Sequence, residues 1–228
     1  MTQAWQSPNY NERRQPLDMI VLHYTGMQSA EAALERLCDP AAQVSAHYLI
    51  DEDGQLFELV DPLHRAWHAG VSSWEGERDV NSRAIGIELV NPGHEFGYSD
   101  FPQAQIAQLL TLLAHLVRRY HIPRFAIWGH SDVAPERKLD PGEKFPWARL
   151  AFHGFGVWPS LFAPRFDGHP EALLEAIGYP TGDLAAAQAA FKRHFRPHTV
   201  GQWWTRADTR AAGGVLWALK RVGLGRWT

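Results

Sequence analysis

Asp18-Met-Ile-Val-Leu-His23 is a continuous apolar run closed by polar residues, a pattern that predicts a buried strand delivering His23 at its C-terminal edge. Apolar residues at helical spacing follow from Ser29 to Leu37. Ala46-His-Tyr-Leu-Ile50 and Leu56-Phe-Glu-Leu-Val60 read as strands. The Asp51-Glu-Asp-Gly54 stretch between them ends in the Asp-Gly pair that favours a hairpin turn, so the two are expected as antiparallel neighbours. From Leu63 to Arg83 no period holds, and a stretch of that length inside a compact domain reads as a long substrate-facing loop. Ala84-Ile-Gly-Ile-Glu-Leu-Val90 predicts a further strand. Pro102 to His121, with apolar residues at 106, 109, 110, 113, 116 and 117, predicts a long amphipathic helix. Phe125-Ala-Ile-Trp128 returns to the sheet and Gly129-His130 leaves it. Strands interleaved with helices predict an α/β domain, a mixed β-sheet flanked by helices.

Around Pro159 to Pro170 the chain turns rich in proline and glycine, and helical periodicity resumes over Glu171 to Ile177 and Leu184 to Phe195. A boundary near Phe166 is therefore expected, with a larger domain over 1–166 and a small all-α unit of two or three short helices over 167–228. A core of that size is marginal alone, so docking on the larger domain is expected. Hydrophobic residues make up 45% of the chain, enough for a core without disulfides. The single cysteine, Cys38, excludes an intrachain bridge and a thiolate cluster, and its place in an apolar helical stretch assigns it to packing. A net charge of −3 with no long basic run argues against nucleic acid as a partner. No apolar run approaches the roughly 18 residues of a membrane span. The first residues, Met1 to Arg14, lack the charged start and apolar stretch of a secretory signal, which leads to an expectation of a cytoplasmic protein, or a periplasmic one if a native leader has been removed. Oligomeric state is not legible.

Three residues have the types and placement for metal chemistry: His23 and His130 at the ends of strands, and Asp140 in Lys138-Leu-Asp-Pro-Gly142, where the following proline disfavours helix and keeps the loop extended or turned. Two histidines, one carboxylate and one position open to water make the pattern of catalytic zinc. Spacing alone leaves a plainer alternative open, in which His130 and Asp140 are loop residues satisfied by backbone groups.

Val21-Leu-His-Tyr-Thr25, Ser45-Ala-His-Tyr-Leu49, Ala66-Trp-His-Ala-Gly70, Ser82-Arg-Ala-Ile-Gly-Ile-Glu-Leu89 and the stretch from Gly129 to Gly142, taken in order, resemble the type 2 N-acetylmuramoyl-L-alanine amidases. That family is related to phage lysozyme-type amidases and peptidoglycan recognition proteins, and the resemblance covers roughly residues 17 to 160. It implies Zn2+ as cofactor, held by His23, His130 and Asp140, with Glu88 as catalytic carboxylate and Lys138 as the cation beside the metal. Strand alternation by itself, with Ile85, Ile87 and Leu89 facing the core, would point Glu88 to solvent. Arg137 and Lys144 are competing cations to Lys138. Tyr24, Trp67 and His68 are the candidate substrate contacts, and His47 reads as a core or supporting histidine. The segment from Leu184 to Gly201 is similar to a small helical peptidoglycan-binding module.

What the resemblance implies for function is hydrolysis of the amide between N-acetylmuramic acid, including its 1,6-anhydro form, and the L-alanine of a stem peptide, with muropeptides from cell-wall recycling as substrates. The alternatives are periplasmic turnover of larger peptidoglycan fragments, a non-catalytic peptidoglycan sensor, or a zinc peptidase acting on the stem peptide.

Overall fold

The computed structural model describes residues 5–223. In chain order the elements are β1 (Tyr10–Glu12), β2 (Met19–Tyr24), α1 (Ala30–Cys38), β3 (Tyr48–Ile50), β4 (Leu56–Glu58), β5 (His64–Ala66), β6 (Ser73–Trp74), β7 (Glu77–Arg78), α2 (Val80–Arg83) and β8 (Ala84–Leu89). They continue with α3 (Gly93–Phe96), α4 (Gln103–Arg119), β9 (Ile127–Gly129), α5 (His130–Val133), α6 (Trp147–Phe152), α7 (Pro170–Ile177), α8 (Leu184–Phe195) and α9 (Arg206–Gly223). No helix among the described residues is long and apolar enough to cross a membrane.

The central sheet runs β4-β3-β8-β2-β9, with β3, β8, β2 and β9 parallel and β4 antiparallel at one edge. Parallel strands covered on both faces need near-continuous apolar sequence, and β2 is buried through its first five residues. Register fixes which side chains share a face. Ile20 lies beside Ile85 and Ile127, and Leu22 beside Ile87, so these residues face one way. They join a core cluster with Ile106, Leu109, Leu113 and Leu116 of α4, all fully buried, and burying one such side chain stabilises by roughly 1.5–3 kcal/mol. Gln105 ties the start of α4 to the sheet by donating to the carbonyls of Ile50 and Val90, each at 3.0 Å.

The opposite face carries Val21, Gly86 and Trp128 in one row and His23, Glu88 and Leu49 in the next. Leu49 packs with Ala33, Leu34 and Leu37 of α1, whose first turn is capped by the Ser29 hydroxyl accepting from the Ala32 amide. Cys38, half-buried, packs at the edge of that cluster. Trp128 lies 4.2 Å from Trp74, ring centre to ring centre, and Trp74 meets Tyr179 beyond α7. The apolar faces of α7, α8 and α9 (Leu174, Phe191, Val215) belong to the same cluster as the sheet.

The stretch from Leu63 to Arg83 is not the unstructured loop its sequence suggests. It holds β5, paired antiparallel with β1, then the β6–β7 hairpin and α2. Two- and three-residue strands are too short to register as a period. The partner of β5 also lies more than 50 residues away, out of reach of any local pattern.

Candidate metal centre

Parallel strands put their C-terminal ends at one edge of a sheet, where ligands of open α/β folds gather. Here His23 and Glu88 are register partners on β2 and β8, and Leu22 pairs with Gly129, so His130 emerges beside His23. The loop after α5 returns Asp140 to the same spot, where its carbonyl accepts from the Ser131 amide at 2.8 Å. His23 Nδ1 lies 2.9 Å from His130 Nδ1 and 3.1 Å from Asp140 Oδ2, and His130 Nδ1 lies 3.0 Å from that oxygen. All three residues are buried.

The chemistry of this donor set decides what it can hold. His130 Nε2 faces the Ala69 carbonyl at 3.1 Å, and a carbonyl only accepts, so Nε2 carries a proton and Nδ1 is the nitrogen turned toward His23 and Asp140. Burial, and then the charge of His130, push the His23 imidazole down to about 4, so it is neutral at pH 7, with Nε2 3.1 Å from His68 Nδ1. Burial pushes Asp140 upward but the His130 and His23 imidazoles outweigh it and hold the carboxyl well below its usual range. Two imidazole nitrogens and a carboxylate oxygen therefore converge, and the three atoms are close enough to share one cation at the roughly 2.0–2.2 Å of zinc–nitrogen and zinc–oxygen bonds. Outer hydrogen bonds on both ligand histidines are what keep such rings in one tautomer.

These residues line a cleft of about 940 Å³, together with Glu88, Tyr24, Trp67, Arg36, Phe96 and Lys138. Glu88 keeps a window onto the cleft rather than facing bulk solvent, because α1 and the 67–70 segment cover this side of the sheet. Its Oε2 is enclosed with no hydrogen-bond partner. Burial, reinforced by the charge of Asp140 and opposed by Lys138, raises its carboxyl well above the ordinary range.

Of the three cations weighed for the role beside the metal, Arg137 is committed to the loop: its Nε donates to the Val71 carbonyl and its Nη2 to the Ala69 carbonyl, both at 3.0 Å. Lys144 donates to the Tyr98 carbonyl at 2.7 Å. Lys138 lines the cleft, and among the described residues no acceptor holds its ammonium.

Tyr24 and Trp67 are half-buried in the cleft wall, the first with its hydroxyl 2.9 Å from His94 Nδ1 and the second donating from its indole to Asn11 Oδ1. His68, expected as a substrate contact, is 8% exposed and lines the cleft, with its Nδ1 3.1 Å from His23 Nε2 and its ring above Gly86. His47 is fully buried, and burial, with the nearby Arg13 charge, pushes it down to about 3; its Nδ1 accepts from the Gly86 amide at 2.9 Å. Sequence reading missed His94, which bridges Tyr24 and Glu143, and Tyr98, whose hydroxyl donates to the Pro141 carbonyl at 2.7 Å and so braces the Asp140 loop. It also missed the role of Gly86. A Cβ there would lie 2.3 Å from the His68 ring, closer than any real contact. Gly86→Ala is therefore expected to displace His68 from His23, destabilise the fold by about 1–3 kcal/mol and weaken metal binding. Thermal unfolding and a zinc titration check this, and a variant matching the parent in both would refute it.

Comparisons with known proteins place the chain in one family. A family model described as N-acetylmuramoyl-L-alanine amidase matches residues 13–143, more than half the chain. The N-acetylmuramoyl-L-alanine amidase AmiD of Escherichia coli is 34% identical over 230 aligned positions, covering 88% of this chain and 82% of the relative. The 1,6-anhydro-N-acetylmuramyl-L-alanine amidase AmpD of Haemophilus influenzae is 34% identical and covers 63% of this chain and 87% of its own. Among solved structures, Escherichia coli AmiD in complex with the substrate anhydro-N-acetylmuramic acid-L-Ala-D-gamma-Glu-L-Lys superposes with a TM-score of 0.79 at 30% identity, covering 98% of this chain and 93% of its own. AMPDH3 of Pseudomonas aeruginosa in complex with anhydromuramic pentapeptide gives 0.77 at 31% identity, covering 91% and 92%.

Proposed function

Because the chain belongs to the N-acetylmuramoyl-L-alanine amidase family, we propose that it hydrolyses the amide between N-acetylmuramic acid, including its 1,6-anhydro form, and the L-alanine of a peptidoglycan stem peptide, with zinc held by His23, His130 and Asp140. The observation that carries this reading is the convergence of those three ligand atoms in one cleft with the enclosed carboxylate of Glu88. The anhydromuramyl peptides bound in the structures of AmiD and AMPDH3 support muropeptide fragments as the substrate class.

An amide is a poor electrophile and its amine a poor leaving group, so both ends need help. Zinc bound at these ligands would polarise the lactyl carbonyl and bring the pKa of a water to about 7. Glu88, with its raised pKa, accepts the proton of the attacking water and returns it to the departing L-alanine nitrogen. Lys138 presents its ammonium to the same cleft and stabilises the oxyanion of the tetrahedral intermediate. Tyr24 and Trp67 offer aromatic faces to sugar or peptide along the wall.

Mass spectrometry of products from a pure 1,6-anhydro-muropeptide, with zinc-loaded and chelator-treated protein side by side, tests the reading. Intact stem peptide and released sugar are expected in the zinc arm alone. Free amino acids instead would make the protein a peptidase, and retention of substrate without cleavage, on polymeric peptidoglycan as well, would make it a binding protein.

A further inference from the structure

The geometry points to the C-terminal helices as part of the frame that holds the His130 side of the metal site, with Tyr179 and His194 as positioning residues that act through Asp132. This rests on the metal reading above and assigns the C-terminal helices a task distinct from binding glycan.

Asp132 lies two residues after His130 and is fully buried. Its Oδ1 accepts from the Tyr179 hydroxyl at 2.7 Å. Its Oδ2 accepts at 2.7 Å from the Gly129 amide and at 2.7 Å from His194 Nδ1. The Gly129 amide belongs to the residue just before His130, and the Ser131 amide just after it donates to the Asp140 carbonyl. The turn carrying the His130 ligand is thus clamped from two sides, by the Asp140 loop and by Asp132.

Both remaining donors to Asp132 come from the C-terminal segment, 47 and 62 residues further along the chain. Neither can drift. The His194 ring is stacked between Trp147, at 3.7 Å and 16°, and Phe195, at 3.9 Å and 13°. Tyr179 is 3% exposed and packs edge-on against Trp74. The turn has little slack either: a Cβ on Gly129 would lie 2.8 Å from Pro141 Cδ and 3.2 Å from the Trp147 ring. A buried carboxylate oxygen left without a donor is costly, and the donor Asp132 keeps is the Gly129 amide beside His130, so any readjustment of the carboxylate falls on this turn. Removing Tyr179 or His194 donation therefore re-aims His130, even though neither residue touches the cleft.

The test uses the full chain carrying Tyr179→Phe, His194→Ala and His194→Gln, with Ile177→Ala as a control that loosens the same helices without touching Asp132. Dissociation constants for cobalt, measured by competition with a chelator, and the visible spectrum of the cobalt-loaded protein are read beside thermal midpoints. Tyr179→Phe and His194→Ala are expected to bind metal about 10–100-fold more weakly, the usual cost of a lost outer partner, with an altered cobalt spectrum. His194→Gln, which keeps a donor, recovers part of the loss. Ile177→Ala lowers the midpoint and leaves affinity and spectrum unchanged. Parental affinity and spectrum in Tyr179→Phe and His194→Ala would overturn the inference, as would an equal loss in Ile177→Ala. Should the parent protein itself take up no cobalt, the metal reading falls and this inference with it; a metal-binding parent with indifferent variants sinks this inference alone.

Discussion

Asp140→Asn is expected to leave a folded protein that no longer retains zinc and no longer turns over muropeptide. The substitution keeps the shape of the side chain and removes its charge. That charge is what the site relies on, because the other two ligand atoms are imidazole nitrogens already 2.9 Å apart, which bring no negative charge to a dication. An amide oxygen is a much weaker partner for a dication than a carboxylate. The loss should exceed the roughly 10–100-fold that removal of an outer hydrogen-bond partner costs a metal site. His23→Ala and His130→Ala should follow the same course, metal and activity falling together. Metal content by elemental analysis after dialysis, with circular dichroism to confirm folding, checks the expectation. Stoichiometric zinc and parental turnover in Asp140→Asn would remove Asp140 from the ligand set.

The elements that carry this site were legible because each is long enough, or apolar enough, to write its own period. β2 and β8 are buried apolar runs, α4 repeats over 17 residues, and the Asp-Gly turn between β3 and β4 fixes their pairing. His23 and His130 stood out for the same reason, since a strand end points a side chain in a fixed direction. What stayed hidden depends on partners distant in sequence. β5 is a strand only because β1 lies beside it. α9 contains Gly213 and Gly214, which weaken a helix read in isolation, yet both are needed: Phe166 would meet a Cβ on Gly213 at 2.3 Å, and the backbone at Ser160 would meet one on Gly214 at 3.0 Å. The motif around His68 could not reveal that its ring packs against His23 in the space left by Gly86. The alternation along β8 pointed Glu88 away from the core correctly. It could not reveal that α1 and the 67–70 segment close over that face and turn an outward carboxylate into an enclosed one.

That enclosure makes Glu88→Gln the most informative single change. The glutamine keeps the volume, leaves the three metal ligands untouched and cannot exchange a proton, so zinc should remain bound while kcat falls by about 10²–10⁴-fold, the range associated with a lost general acid–base group. The sign of the stability change provides an independent check in the metal-free protein. A carboxyl group whose folded pKa is raised binds its proton more tightly in the folded state than in the unfolded one. Its presence therefore costs stability as pH rises from the ordinary carboxylate range towards the raised value, and the cost then levels off. Glutamine carries no such cost. Metal-free Glu88→Gln should match the parent near pH 4 and become progressively more stable than it towards neutrality, the reverse of what loss of a structural salt bridge would give. Denaturant unfolding at both pH values measures this, and zinc content with single-turnover kinetics measures the rest. A Glu88→Gln protein that binds zinc and cleaves at the parental rate would leave the enclosed carboxylate without a chemical role. One that is inactive yet destabilised towards neutrality would mean that Glu88 holds the fold rather than the proton.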